Sequence, residues 1–364
     1  RYRRGTRMSS YQFLVKKTAL SECKIEAVPA PVIGPGEALL RVDRFALTAN
    51  NITYGVAGDA LGYWQFFPAQ GDWGRIPVWG IGTVTASGAR AVAVGDRFYG
   101  YFPMSGHLAV TPGHIRPHGF ADQSAHRQNL PPVYNQYSLM TEALGFPARY
   151  DNHQMIYRPL FTTSFMLDDW FGDNACFGAE QVIVASASSK TAFGTALLLR
   201  DRPPKIIGLT SQGNRAFVER MGMYDEVRTY DEVASLDAAL PTAYIDMSGN
   251  RAVLAAVHRH FRDKLVNSCS VGITHHEERG GEDPKALPGA RPTLFFAPSQ
   301  IQKRNKEWGP ALYQQKLGAA WQAFLDRVDE WVDIVESPTP DQLAEVYATV
   351  LNGPAPDKAY VLRY

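Results

Sequence analysis

Two periodicities divide this chain. From residue 8 to about 115, apolar residues come in short runs of strand formers: Tyr11–Val15, Ile25–Val28, Ala38–Phe45, Val78–Thr85, Gly95–Tyr101 and His107–Thr111. Gly34-Pro35-Gly36 is a turn between two of them. Many short strands at this spacing predict a partly closed barrel. From Gln181 the pattern changes to strand, helix, strand with short links. Strands are predicted over Gln181–Val184, Lys205–Thr210, Asp225–Arg228, Ala243–Met247 and Leu265–Val271, with Pro292–Ala297 closing the sheet. Helices are predicted over Ala216–Met221, ending at Gly222, and over Arg251–Phe261. That alternation predicts an α/β unit with a parallel sheet. Leu312–Trp331 and Pro340–Leu351 read as further helices and Ala359–Leu362 as a last strand. Between the two parts, residues 118 to about 165 mix prolines, histidines and tyrosines with short helical patches. Tyr134, Tyr137, Tyr157 and Phe161 there can line a cleft, although packing of a long connecting segment is the ordinary expectation.

The stretch Gln181 to Gly194 organises the second part. An apolar β-branched strand runs into the small residues Ala185 to Ser189 and Thr191, with Lys190 among them, and then into a helix through Ala196–Arg200. A buried strand that bends on small residues into a helix is the opening unit of a nucleotide-binding sheet. The helix start offers unpaired N–H groups and partial positive charge to a phosphate. The three glycines usual there are replaced by Ser186, Ser189 and Ala192, which are small but lack glycine's freedom at positive φ.

Composition narrows the choices. Of 364 residues, 45% are hydrophobic and 20% charged, and the net charge is +1, so nucleic-acid binding is not expected as a main role. No apolar run reaches the roughly 20 residues that span a bilayer, and no membrane partner is expected. Arg1, Arg3, Arg4 and Arg7 precede Met8 without an apolar stretch, which reads as a disordered upstream extension over residues 1–7. Cys23, Cys176 and Cys269 are few and far apart, as suits a reducing cytoplasm.

Several motifs follow in a telling order. They are Arg41–Tyr54, Pro77–Val84, Gly95–Gly100, Gly106–Pro112, Ile207–Ser211 through Gly222, and Ile245–Gly249. On these the chain resembles the medium-chain dehydrogenase/reductase superfamily. It is most similar to the zinc-free quinone oxidoreductase and enoyl reductase branch, in a subgroup of unassigned function. The resemblance implies an α/β protein with an N-terminal GroES-like, partly open β-barrel and a Rossmann-type doubly wound parallel sheet. It implies a substrate domain over 8–164 and 301–364 and a dinucleotide-binding domain over 165–300. A homodimer is a further implication.

The resemblance directs attention to three chemistries. Zinc-binding members carry a His-Glu pair where this chain has Val78 and Trp79, so no metal site is expected. The one dense ligand cluster, His275-His276-Glu277-Glu278, reads as solvated loop. For the cofactor, an NAD site places an acid at the end of the second strand, and here that end reads Leu209–Arg215 without one. Thr210, Ser211 and Asn214 can donate hydrogen bonds, Arg215 can pair with a 2′-phosphate, and Lys190 at the opening of the first helix can reach a phosphate, which points to NADPH. Ser186, Ser188, Ser189 and Thr191 would line the diphosphate, with Ser248, Val271 and Gly272 at later strand ends. For the acceptor, the turn Ala49–Tyr54 lies where the branch places its substrate-side donors. Tyr54 is the first candidate, with Asn51 and Tyr63 next.

Three functions remain open at this point. One is a zinc-independent, NADPH-dependent reductase of an unsaturated carbonyl, quinone or ketone, with a tyrosine or water as proton donor. One is a non-catalytic binding or structural protein on the same fold. The third is a serine hydrolase built from Ser186 or Ser188 with Asp246 and either His258 or His275. Lys190-Thr191 also resembles the end of a P-loop, but the glycines that such a loop needs are missing.

Overall fold

The computed structural model describes residues 9–272 and 282–364. The arginine-rich start and the His275–Glu278 cluster lie outside the described residues. The chain divides into two compact units, one built from residues up to Ile156 and from Asp333 to Tyr364, the other from Tyr157 to Val332.

The first unit opens with strands β1 (Ser9–Lys16), β2 (Ala19–Pro29) and β3 (Ala38–Leu47), then helix α1 (Ala49–Val56). Strands β4 (Trp73–Gly74), β5 (Pro77–Ser87), β6 (Arg97–Pro103), β7 (His107–Val110), β8 (Pro112–Arg116), β9 (Gly119–Asp122) and β10 (Gln136–Leu139) follow. The long helix α2 (Asp151–Asp173) carries the chain into the second unit. There, strands β11 (Gln181–Ala185), β12 (Lys205–Thr210), β13 (Glu226–Thr229), β14 (Thr242–Asp246), β15 (Leu265–Ser270) and β16 (Thr293–Leu294) alternate with helices α3 (Lys190–Leu199), α4 (Arg215–Met221) and α5 (Arg251–Phe261). Helices α6 (Ala297–Trp308) and α7 (Pro310–Val328) come next. The chain then returns to the first unit as β17 (Asp333–Pro338), α8 (Leu343–Leu351) and β18 (Lys358–Arg363).

The first unit is a GroES-like, partly open barrel. A nine-stranded sheet runs β17-β18-β3-β5-β6-β10-β9-β8, with β7 also on β3, and a separate three-stranded sheet runs β2-β1-β4. Strand β3 bends between partners. Its first half pairs with β7 from Ala38 to Arg41, and its second half pairs with β18 from Arg44 to Leu47. The two sheets are joined where Phe13 N–H bonds Met104 O and Gly106 N–H bonds Tyr11 O. Buried Phe13, Leu40, Phe45, Val78, Phe102 and Leu362 belong to the core between them.

The second unit is a Rossmann-type sheet. Its order is β13-β12-β11-β14-β15-β16, and every pair is parallel. Strand β11 is buried at all five positions, because a central parallel strand is covered on both faces and has no solvent side to make polar. Helix α5 starts on Asn250, whose Oδ1 accepts from Ala252 and Val253 N–H, and α4 stops at Gly222 in the left-handed region.

Several elements differ from the sequence expectation. Asp151–Asp173 is one helix of 23 residues, although Pro159 and many polar residues hide its period. The run Pro292–Ala297 supplies only the two-residue β16 before α6 begins. The units divide at 156/157 and 332/333, where the sequence reading drew 164/165 and 300/301. Packing explains the shift. Phe161 on α2 packs against Trp321 and Phe324 of α7, and Gln300 and Arg304 of α6 bond Asp169 of α2, so α6 and α7 travel with the parallel sheet.

Candidate functional site

In the parallel sheet the strand order reverses direction at β11, and the carboxyl ends of β11 and β14 flank that switch point, the position where doubly wound sheets bind their ligands. The bend Ser186–Ser189 sits at that end of β11. Ser186 adopts φ +57°, the conformation glycine normally supplies. Neighbouring strands hold the bend. Ser186 N–H donates to the Tyr230 hydroxyl (3.1 Å), and the Tyr224 hydroxyl donates to Ala187 O (2.9 Å). Asn214 Nδ2 donates to Ser188 Oγ (3.1 Å), tying the end of β12 to the bend. Ser189 caps α3 by accepting from Ala192 N–H (3.2 Å). The first turn of α3 then presents N–H groups that have no intrahelical carbonyl. Lys190 and Thr191 open that turn, and loss of water around the half-buried Lys190 ammonium lowers its pKa to about 8.

The later strand ends are similarly ordered. Thr210 is buried at the end of β12, and Ser211 is exposed. Arg215 is engaged by two carboxylates, with Nε on Glu219 (2.8 Å) and Nη1 on Glu232 (3.1 Å). Glu232 also accepts from Thr229 N–H (2.9 Å), which places it at the end of β13. Buried Asp246, at the end of β14, accepts from Ser248 N–H (2.9 Å), Ser248 Oγ (2.7 Å) and Gly249 N–H (3.2 Å). Val271 N–H reaches Asp246 O (2.9 Å), and Gly272 follows at φ +90°.

The first unit gathers a second group. Helix α1 is set by Asn51, whose Oδ1 accepts from Thr48 N–H (2.8 Å) and Thr48 Oγ1 (3.0 Å) while its Nδ2 donates to Pro77 O (3.3 Å). One turn on, the Tyr54 hydroxyl oxygen accepts from Asn50 Nδ2 (2.9 Å) and Trp79 Nε1 (3.3 Å). The Tyr54 and Tyr63 rings lie 4.5 Å apart, Tyr101 and Tyr134 stack at 4.8 Å, and the Tyr63 and Tyr134 hydroxyls are 3.3 Å apart. The buried Tyr101 hydroxyl has no hydrogen-bond partner of ordinary geometry among the described residues. Burial, reinforced by nearby Tyr134, pushes the Tyr54 phenol up to about 12, and burial likewise raises Tyr63 and Tyr101. At neutral pH these phenols are protonated and can act as donors.

A family model matches residues 45–356 and is described as a protein of unknown function, DUF2855. The chain belongs to the DUF2855 family. No curated protein matches its sequence. Its fold, however, recurs among solved structures. Over 97% of this chain and 98% of the other it is similar to CurA from Vibrio vulnificus in complex with NADPH, at 12% identity and TM-score 0.63. It is similar to the quinone oxidoreductase from Coxiella burnetii over 98% and 100%, at 11% identity and TM-score 0.54. A mutant form of enoyl thioester reductase from Candida tropicalis matches over 98% and 100%, at 10% identity and TM-score 0.56. This DUF2855 chain therefore has the medium-chain dehydrogenase/reductase fold.

The expected nucleotide residues Ser186, Ser188, Ser189, Lys190, Thr191, Thr210, Asn214, Ser248 and Val271 all come from the carboxyl ends of β11, β12, β14 and β15, the turns just after them or the start of α3. Tyr54 and Tyr63 come together, whereas Asn51 shapes the start of α1. Of the four aromatic residues expected in a cleft, only Tyr134 joins the cluster. Tyr137 bonds Arg127, and Tyr157 and Phe161 pack on Phe324 in the other unit. Among the described residues the hydrolase arrangement does not form. His258 is buried with Nδ1 on Pro288 O and Nε2 on Ser268 Oγ, both 2.8 Å, and Asp246 serves the Ser248 turn. His275 lies outside the described residues. The sequence reading missed Tyr230, Tyr101 and Glu232, which reach their places only through tertiary folding. Among the described residues no three His, Cys, Asp or Glu side chains converge as metal ligands.

Proposed function

We propose that this chain is a zinc-independent, NADPH-dependent reductase of an α,β-unsaturated carbonyl, quinone or ketone. The observation that carries the reading is the Ser186–Ser189 bend at the switch point of a 3-2-1-4-5-6 parallel sheet, leading into the N-terminus of α3. The donor set there suits a dinucleotide. Small side chains let the backbone approach a diphosphate, and Ser188, Ser189, the first N–H groups of α3 and the Lys190 ammonium all favour negative charge. Arg215 is the candidate partner for a 2′-phosphate, which would have to compete with Glu219 and Glu232. A bound nicotinamide supplies hydride. This chain's own part is to hold the acceptor carbonyl and deliver a proton. Tyr54 suits that part because its oxygen already accepts two hydrogen bonds, which leaves its O–H to donate and stabilises the oxygen once the proton has gone. Tyr63 is the second candidate, and Asn51 positions α1.

The substrate is a small molecule, and no helix among the described residues is long and apolar enough to cross a membrane. Its working compartment is taken as the cytoplasm, where unpaired Cys23, Cys176 and Cys269 persist, and a homodimer is its proposed assembly. The test is consumption of NADPH by pure protein against a panel of enones, quinones and ketones. Turnover that drops on Tyr54→Phe supports the reading. Saturable NADPH binding without oxidation of any acceptor favours the second reading, a non-catalytic dinucleotide-binding protein. The Tyr230 hydroxyl already on Ser186 N–H is the observation in its favour.

A further inference from the structure

The edge of the large sheet carries a cavity that the reductase reading does not use. It measures about 380 Å³ and lies over β8, β9 and β10, all within the first unit. Three nitrogen-rich side chains line it: His114 and Arg116 from β8 and His118 from the turn that follows. All three are exposed, and none makes a side-chain hydrogen bond or ion pair among the described residues. No aspartate or glutamate lines the cavity. Gln136 and Ser138, from alternate positions of β10, add polar groups, and Gly119, Phe120 and Tyr137 complete the lining.

The backbone is distorted to build this arrangement. The β8–β9 register shifts by one residue between Gly113 and Arg116, so His114 and Ile115 together oppose Phe120. His114 takes φ +45° there, a conformation that L residues rarely adopt. A bulge re-aims the side chains of the strand that carries it, and non-glycine residues at positive φ cluster at ligand sites. Gly119 completes the fit, because a Cβ at that position would overlap Tyr137 O where β9 meets β10.

We propose that this cavity binds a small, multiply charged anion, a phosphoryl or dicarboxylate group on a compact molecule. The guanidinium of Arg116 is the main recognition group, since its planar fork matches two oxygens of either anion, and His114 and His118 add donors on either side. The volume falls in the range of small-molecule sites. The proposal is independent of the reductase reading.

The test is calorimetric titration of the full chain with pyrophosphate and, separately, succinate, which distinguishes the two anion classes. One site per chain is expected, with at least one of the two anions. Arg116→Gln should weaken it about tenfold or more, as expected for losing a charge-assisted contact, and should leave the thermal midpoint and NADPH affinity unchanged. His114→Gln/His118→Gln should also weaken it. Failure of both anions to bind up to about 10 mM would overturn the proposal, because the basic residues would then only protect a sheet edge from pairing. Binding that is unaffected by Arg116→Gln and by the histidine pair would equally overturn it, by placing the anion elsewhere, such as the start of α3.

Discussion

Removing the charge of Asp122 while keeping its shape should destabilise the first unit strongly. Arg127 is 0% exposed and Asp122 2%. Arg127 Nη1 donates to Asp122 Oδ2 (3.0 Å) and to the Tyr137 hydroxyl (2.7 Å), Nε to Asn135 Oδ1 (2.9 Å), and Nη2 to Tyr134 O (2.6 Å). The other oxygen of Asp122 accepts from Thr111 N–H (2.9 Å), Ser124 N–H (3.0 Å) and Ser124 Oγ (2.7 Å). Asp122→Asn keeps those turn contacts but leaves the guanidinium buried without a countercharge. Breaking one side of a buried pair costs about 3–5 kcal/mol. With the turn retained, about 3 kcal/mol is expected, a large share of a typical total of about 5–15 kcal/mol. The pair should also be coupled. Adding Arg127→Met to Asp122→Asn removes the stranded charge, so the double variant should be less destabilised than the sum of the single variants. Urea titration followed by circular dichroism measures the stability, and amide hydrogen exchange in β9 and β10 localises the loss to this unit. A change within about 0.5 kcal/mol for Asp122→Asn would refute the reasoning, because it would mean that the guanidinium keeps its water.

Four other outcomes are expected. Ser186→Gly relieves a left-handed serine and should stabilise the protein by about 1 kcal/mol, seen as a raised thermal midpoint, with NADPH binding retained. Lys190, with its pKa lowered to about 8, loses its charge far below the usual lysine value, so NADPH affinity should fall as pH rises through 8 in the wild type and not in Lys190→Met. The stability effect has the opposite sign. Between pH 8 and 10.5 the unfolded chain holds a proton that the folded chain has released, so the Lys190 contribution to stability improves as pH rises across that window. Tyr54→Phe should lower kcat by about 10²-fold with little change in KM, and Tyr63→Phe should lower it less; little loss in either variant would assign the proton to water.

The legible parts of the fold were those that local pattern determines. A parallel strand buried on both faces writes a continuous apolar run, so β11, β12 and β14 could be placed from their sequence alone. The small residues after β11 marked the bend. Helix α2 escaped notice because its polar face and Pro159 weaken the helical period, and its stability rests on packing against α7. Strands β8 to β10 depend on the buried Arg127–Asp122 pair and on Gly119, whose roles no local pattern announces. Asn51 illustrates a different limit. An asparagine at the start of a helix and an asparagine facing a substrate look alike in sequence, and only its bonds to Thr48 and Pro77 separate them. Tyr230 stands 44 positions from Ser186, so its hydrogen bond required the strand order to be known.

A dinucleotide settling over the Ser186–Ser189 bend is what the proposed function requires first. Calorimetric titration of the wild-type chain with NADPH tests this most directly, paired with Ser188→Trp, which fills the space above the bend. One site per chain with a Kd of about 10 μM or tighter, lost in Ser188→Trp with no more than the small drop in thermal midpoint that losing the Asn214 hydrogen bond brings, is the predicted result. No saturation at about 1 mM NADPH, or saturation that the tryptophan leaves untouched, would contradict it.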